Sequence, residues 1–399
     1  MGGAVDFLPG SHPCTRGAMT QTQSFQTQLS TTRIVFGEGV LAHVAREAHT
    51  LGMRTILLVM DPFLASTPAG QQCTQMLRDA GMTVVLSTDV EPDPTVTTVE
   101  AGAAHARAQH VDGIIALGGG SALDTAKAIG LLLYNNATHL APFFHGGGST
   151  PTGMLPLIAI PTTAGTGAEV TFVAIVTEPH SQRKLLVRHP TLAPHVALVD
   201  PLLSATMPTS LTMATGVDAL AHALEAMTST MAAPLSDALA MHAIPLIIES
   251  LPRLIQTGHN ASDRAQMSLA ATSAGMAFLS GRVHLGHAVG HALGGAYHVP
   301  HGTACIVLMP QIMALIAPHR PHAIAAFAHA FGCTTTDFPD TLARWLHQCG
   351  VPRLRQLLAP HHPTIPALIA LIHGEERLIG LAPVQPSHAQ WHAMIEATW

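Results

Sequence analysis

Two pairs of side chains in the C-terminal half have the types and spacing to grip a cation. Asp218 and His222, in Gly216-Val217-Asp218-Ala219-Leu220-Ala221-His222, stand at i and i+4 and so share one helical face. His287 and His291, in Gly286-His287-Ala288-Val289-Gly290-His291, repeat that spacing, and His301 follows on a Pro300-His301-Gly302 turn able to fold back toward them. One carboxylate with several imidazoles suits a divalent first-row ion such as Fe²⁺ or Zn²⁺. The chain has 27 histidines, so pairs at i,i+4 also arise by chance, and spacing alone leaves both readings open. His284 and His298 are read as surface or packing residues.

Two glycine-bearing loops have the chemistry to hold phosphates. Gly118-Gly119-Gly120-Ser121-Ala122-Leu123-Asp124 joins an apolar run to a helical stretch. Its glycines permit a tight turn and close backbone approach, and Ser121 with Asp124 three residues on reads as the helix start. Free N–H groups at that helix end suit a pyrophosphate. Pro161-Thr162-Thr163-Ala164-Gly165-Thr166-Gly167 adds three hydroxyls after another apolar run. Asp61 closes a third run, where a carboxylate accepts bonds from an adenosine ribose and repels a 2′-phosphate. Each has a bland counterpart: a tight turn without ligand, a Thr-rich turn satisfying its own backbone, an Asp-Pro turn.

The elements that must position these residues change character along the chain. Thr55–Met60, Thr83–Ser87, Gly113–Leu117 and Leu155–Ile160 read as buried strands, with helices over Phe63–Ala80 and Val96–Gln109 between them. Continuous apolar strands separated by helices predict a parallel sheet covered on both faces. After Asp200 the strand-like runs give way to helical stretches: Val217–Met227, Pro234–Leu254, Arg264–Ala277 and Ala304–Ile316. The reading is a tail over 1–31, an α/β dinucleotide-binding domain over 32–204, and an all-α metal-binding and catalytic domain over 205–399, the boundary marked by Asp200-Pro201 and Met207-Pro208.

Bulk properties narrow the class. A chain of 399 residues exceeds one ordinary core. A net charge of −6 without a Lys/Arg cluster argues against nucleic-acid or anionic-membrane partners. No uninterrupted apolar run reaches the ~18 residues of a bilayer span. The five scattered cysteines, free of CxxC pairs, and an N-terminus without a secretory pattern lead to the expectation of a cytoplasmic protein.

Together these segments resemble the iron-containing (group III) alcohol dehydrogenase family: GGGSxxDxxK at Gly118–Lys127, PTTAGTG at Pro161–Gly167, GVDALxHAxE at Gly216–Glu225, and H-x3-H-x-LG with PHG from His287 to Gly302. The resemblance implies an active site in the cleft between an α/β and a helical domain. It implies metal ligands at Asp218, His222, His287 and His301, with His291 in catalysis or proton transfer. Cofactor contacts would fall on Asp61, Gly119, Gly120, Ser121, Asp124, Thr162, Thr163, Thr166 and Lys184, with Asp93 close by. Asp61 is associated with preference for NAD over NADP. Asp93 stands where the family usually has Asn, Ala168 replaces a frequent Ser, Ala292 a frequent Pro, and a common Asn-Pro-Arg element is missing. The implied protein is an NAD-linked, metal-dependent dehydrogenase, Fe²⁺ before Zn²⁺, acting on a small alcohol or aldehyde and forming a homo-oligomer. The alternatives are a metal-free reductase of maleylacetate reductase type, a zinc-using glycerol-type dehydrogenase, and a non-catalytic histidine-rich metal binder.

Overall fold

A computed structural model describes residues 25–144, 147–179, 184–258 and 260–399. Most of the expected tail, residues 1–24, lies outside them. Six strands form one parallel sheet in the order β3-β2-β4-β5-β8-β1: β1 (Arg33–Phe36), β2 (Thr55–Val59), β3 (Thr83–Ser87), β4 (Gly113–Gly118), β5 (Leu157–Pro161) and β8 (Val196–Val199). β6 (Val173–Thr177) and β7 (Lys184–Arg188) make a separate antiparallel pair. The helices of this half are α1 (Val44–Thr50), α2 (Pro62–Ser66), α3 (Pro68–Asp79), α4 (Val96–Ala108) and α5 (Gly120–Tyr134). Apolar side chains of β2, β4 and β5 are buried toward both faces, which is what helices on each side require.

Chain order explains where a ligand can sit. From β2 the chain passes outward to β3, then returns to β4 on the other side and continues to β5. That reversal separates the crossover helices and opens a crevice beyond the carboxyl ends of β2, β4 and β5. Asp61, Gly119 and Thr162 stand just past those three neighbouring strand ends.

The second half is helical: α6 (Thr209–Thr228), α7 (Pro234–Thr257), α8 (Ala261–Gly281), α9 (Leu285–Tyr297), α10 (His301–Ile306), α11 (Met309–Ile316) and shorter helices to the end. From Gly216 onward every residue of α6 is buried, so this helix is the core of its half rather than an amphipathic cover. Val217, Leu220 and Leu224 are fully buried and each contributes roughly 2 kcal/mol of hydrophobic stabilisation. α7 is, among the described residues, the one helix long and apolar enough by length and composition to cross a bilayer, although polar residues interrupt its sequence. Here Ile244, Ile247, Leu251 and Leu254 are buried in the core shared with α6 and α8.

Several boundaries differ from the sequence reading. The helix expected over Phe63–Ala80 is two, because Thr67 turns extended and caps a new start at Pro68. Ala304–Ile316 likewise divides at Val307-Leu308 and begins earlier, at His301. α5 starts at Gly120 with Gly119 as its N-cap, so Ser121 is inside the helix and is not the cap. The cause is local: Gly119, in extended conformation, already accepts the first helical bonds from Ala122 and Leu123.

Candidate active site

α6 presents Asp218, His222 and Glu225 at i, i+4 and i+7, one face of one helix. α9 brings His287 to it, and α10 brings His301. The approach of α10 is set by Gly302: a Cβ there would meet the Ala214 carbonyl oxygen at 2.0 Å and the Asp218 Cβ at 2.6 Å. With no side chain at 302, the first turn of α10 lies directly on α6.

The Nε2 atoms of His222, His287 and His301 lie 3.9, 3.9 and 3.8 Å from the same oxygen, Asp218 Oδ1. Donors around a tetrahedral ion bonded at about 2.1 Å are separated by about 3.4 Å, so each imidazole stands a few tenths of an ångström beyond ligand spacing from the shared carboxylate oxygen. The donor atoms of Asp218, His287, His301 and Cys305 all lie within 4.8 Å of one another. Asp218 Oδ1 and His287 Nε2 are buried and make no hydrogen bond. Buried polar atoms without partners are costly, and a cation among them removes that cost. Burial holds His222 down to about 4 and pushes His287 and His301 well below the ordinary imidazole value. All three are therefore neutral at physiological pH, the state ligation needs.

Two further groups complete the cluster, and the sequence reading gave neither a role. Glu225 accepts a hydrogen bond from the Gly286 N–H at 2.6 Å, and its second oxygen is paired with His287 Nδ1. That contact orients the ring and leaves Nε2 pointing at Asp218. Its signal was available: Glu225 is the third polar residue on the Asp218 face. Cys305, one turn after His301, has its Sγ 3.6 Å from His301 Nε2 and close to the Asp218 and His287 donor atoms. Its signal was the same i,i+4 spacing, from His301, set among ordinary apolar neighbours. His284 is fully buried, its Nε2 2.9 Å from Thr228 Oγ1, and packs the core behind Glu225.

Two cavities meet at this cluster. A cleft of about 910 Å³ is lined by Asp61, Asp93, Gly119, Gly120, Ser121, Thr162, Thr163, Thr166 and Lys184, and reaches Asp218 and His301. A smaller cavity of about 240 Å³ contains Asp218, His222, His287, His291 and His301 in its wall, together with Phe278, Val283 and Leu378. Gly120, Ser121, Thr166 and Lys184 border both. His291 is 12% exposed, its Nδ1 is 3.4 Å from Glu375 Oε2, and its ring centre is 5.8 Å from that of His301.

Of the expected cofactor residues, Asp124 stands apart. It is absent from the wall of the larger cleft, and its oxygens face Lys127 Nζ at 3.4 Å and accept from the Ile175 N–H at 3.0 Å. It ties α5 to β6 and borders the smaller cavity. Lys184 and Asp93 pair with each other at 2.6 Å, with Asp93 in left-handed backbone conformation at φ 54°. Asp61 caps α2 through Oδ1, accepting from the Leu64 N–H at 2.9 Å, while it lines the cleft. It is therefore both the turn former and a cleft carboxylate.

The threonine loop depends on one backbone position. Gly167 has φ 62°, and a Cβ there would lie 2.5 Å from the Gly275 Cα of α8. Gly167→Ala is expected to cost about 2–4 kcal/mol through left-handed strain and overpacking, measured by denaturant unfolding. A midpoint equal to that of the parent would contradict this packing.

A parallel-sheet α/β half with a crevice at its reversal point, beside a helical half that offers a carboxylate and three imidazoles, has the layout of a dinucleotide-dependent oxidoreductase with room for a metal ion. Residues 31–201 match the family described as iron-containing alcohol dehydrogenase, and residues 212–397 match the C-terminal region of the Fe-containing alcohol dehydrogenase family. The chain belongs to the iron-containing alcohol dehydrogenase family. It is 34% identical over 388 residues to long-chain-alcohol dehydrogenase 1 of Geobacillus thermodenitrificans, covering 93% of this chain and 98% of that one. It is 40% identical over 277 residues to the probable alcohol dehydrogenase EutG of Escherichia coli, 69% of this chain and 70% of that one. Among solved structures, a 1,3-propanediol oxidoreductase superposes with a TM-score of 0.87 at 30% identity, covering 94% of this chain and 100% of that one. A sulfoacetaldehyde reductase from Bifidobacterium kashiwanohense in complex with NAD⁺ gives 0.87 at 27% identity, covering 94% and 99%. The protein is an oxidoreductase of the iron-containing alcohol dehydrogenase type, and its family implies NAD and a divalent metal.

Proposed function

We propose that the chain interconverts a small primary alcohol and its aldehyde with NAD(H), using Fe²⁺ held by Asp218, His222, His287 and His301. The carrying observation is the convergence of these four donors where the two cavities meet. When bound, the ion supplies Lewis-acid polarisation of the substrate oxygen and the nicotinamide carries the hydride. Asp218 contributes the only negative charge among the four donors and so fixes the cation at the junction. Glu225 holds the His287 ring in the ligating orientation. His291, beside that cluster and linked to Glu375, exchanges the substrate's proton with the surface. Phe278, Val283 and Leu378 exclude water from the smaller cavity, which takes the carbon chain of the substrate.

In the larger cleft, backbone N–H groups at the start of α5 and the hydroxyls of Thr162, Thr163 and Thr166 receive the pyrophosphate. Asp61 accepts from the adenosine ribose and disfavours a 2′-phosphate. Asp61→Ala is expected to raise the kcat/KM ratio for NADP over NAD by on the order of tenfold or more; an unchanged ratio removes Asp61 from the ribose site. An intact donor set favours a metal-dependent enzyme over the metal-free reductase alternative. The division into residues 1–31, 32–204 and 205–399, a cytoplasmic location and a homo-oligomeric state belong to the same proposal, supported by the family resemblance and the scattered free cysteines. The test is NADH oxidation over a panel of aldehydes with Fe²⁺ and with Zn²⁺. Turnover that is highest with Fe²⁺ supports the reading; turnover unaffected by chelation and metal return overturns the metal assignment.

A further inference from the structure

The wall of the smaller cavity is not uniformly apolar. Arg188 on β7, Arg282 at the end of α8 and Arg377 in the short helix Glu376–Ile379 all line it. Arg188 is engaged, stacked 4.9 Å over Phe172 with Nη2 donating to the Leu279 carbonyl at 3.0 Å. Arg282 donates to the same carbonyl from Nη1 at 2.6 Å, which leaves most of its five N–H donors unused. Arg377 makes no hydrogen bond among the described residues.

Carboxylates do not neutralise this wall. Asp93 is taken by Lys184, Asp124 by Lys127 and the Ile175 N–H, and Asp218 belongs to the imidazole cluster. Among the described residues no carboxylate lies within ion-pair distance of Arg188 or Arg282, and Glu375, the acidic neighbour of Arg377, also faces His291. Arg282 is pushed down to about 10 by burial and by the nearby Arg377 charge, so the two cations bear on each other. Arg282 also stands at φ 69°, a conformation uncommon for a non-glycine residue and kept where surrounding structure or function demands it. Two guanidiniums face one cavity beside a single neighbouring carboxylate, Glu375, which also pairs with His291; the positive charge left over suits an oxyanion.

We propose that the alcohol or aldehyde taken by this enzyme carries an anionic group, a carboxylate, sulfonate or phosphonate, at the end remote from the reacting carbon, and that Arg282 and Arg377 bind it. The inference rests on the reading that the smaller cavity holds the substrate of an alcohol dehydrogenase, and it narrows that substrate to a class. A cavity of about 240 Å³ limits the class to short chains. The charged end lies on the arginines and the hydroxyl or carbonyl end lies at the Asp218 cluster, so one molecule spans two recognition points and its reacting carbon is oriented between them.

The experiment compares kcat/KM of the metal-loaded enzyme with NADH for matched aldehydes: butanal against 4-oxobutanoate, and propanal against sulfonoacetaldehyde and phosphonoacetaldehyde. At least one charged aldehyde is expected to exceed its neutral partner by about tenfold or more, chiefly through KM. Arg282→Gln and Arg377→Gln are each expected to lower that charged-to-neutral ratio by about tenfold. Arg377 stands on an exposed short helix, so its variant reports even where Arg282→Gln disturbs the α8 terminus. Which charged aldehyde leads identifies the oxyanion. Equal or better reduction of the neutral aldehydes, or a ratio that neither substitution moves, overturns the anionic class and leaves the alcohol dehydrogenase reading standing. Failure to reduce any aldehyde, charged or neutral, overturns both.

Discussion

His287→Ala is expected to leave a folded protein that has lost its metal and nearly all turnover. His287 is the only donor from α9, and its Nε2 is a buried atom with no other partner. Removing it opens the cation site on one side and strands Glu225, whose second oxygen is paired with that ring. Metal content should fall from about one ion per chain to a small fraction, and kcat by on the order of 10³-fold or more, since several kcal/mol of transition-state stabilisation depends on the ion. Elemental analysis and steady-state kinetics on one preparation check this. Parental metal content together with parental turnover would remove His287 from the site.

Glu225→Gln should give the second-largest effect without touching a ligand. The carboxylate accepts from both the Gly286 N–H and His287 Nδ1. A glutamine of the same shape has one acceptor and one donor group, so one of these two bonds is lost. If the ring turns, its Nε2 leaves the Asp218 oxygen; if the backbone contact fails, the start of α9 loosens. Partners of this kind typically change metal affinity by about 10–100-fold. A competitive chelator titration is expected to show that weakening with the fold intact by circular dichroism. Unchanged affinity would mean the His287 orientation is set by packing alone.

How much of this was readable beforehand follows from which signals are local. β3 was read with its limits as found and β4 to within one residue, because both are bounded apolar runs. β1 and β8 are only four residues each, and β1 is half-exposed, so neither offers enough length to register. The β6–β7 pair escaped because Lys184–Arg188 has a charged residue at each end and only three apolar residues between them, and its partner strand is fixed by Lys127 reaching the Val173 carbonyl at 2.8 Å. The break at Thr67-Pro68 was visible, since a Thr before Pro is a helix start, yet helical periodicity on both sides masked it.

The site divides the same way. The i,i+4 pairs and the glycine loops are written within a few residues, and nine of the ten cofactor candidates do border one cleft. What unites them is nonlocal. Asp61, Gly119 and Thr162 become neighbours only through strand order, and α10 reaches α6 only because Gly302 has no side chain. Asp124 borders the smaller cavity instead, because its side chain turns to the Ile175 N–H of β6 although its motif position lies at the loop. Arg188, Arg282 and Arg377 come from three distant elements, and no spacing in the chain announces that they share a wall.

The central claim is a single divalent ion gripped in common by one carboxylate and three imidazoles at the mouth of a dinucleotide cleft. Anomalous diffraction at the iron edge, from crystals loaded with Fe²⁺ and NAD under anaerobic conditions, measures this directly. One strong peak within bonding distance, about 2.0–2.3 Å, of Asp218, His222, His287 and His301 is the predicted result. A fully loaded crystal whose peak lies elsewhere, or whose four side chains point away from it, would contradict the account.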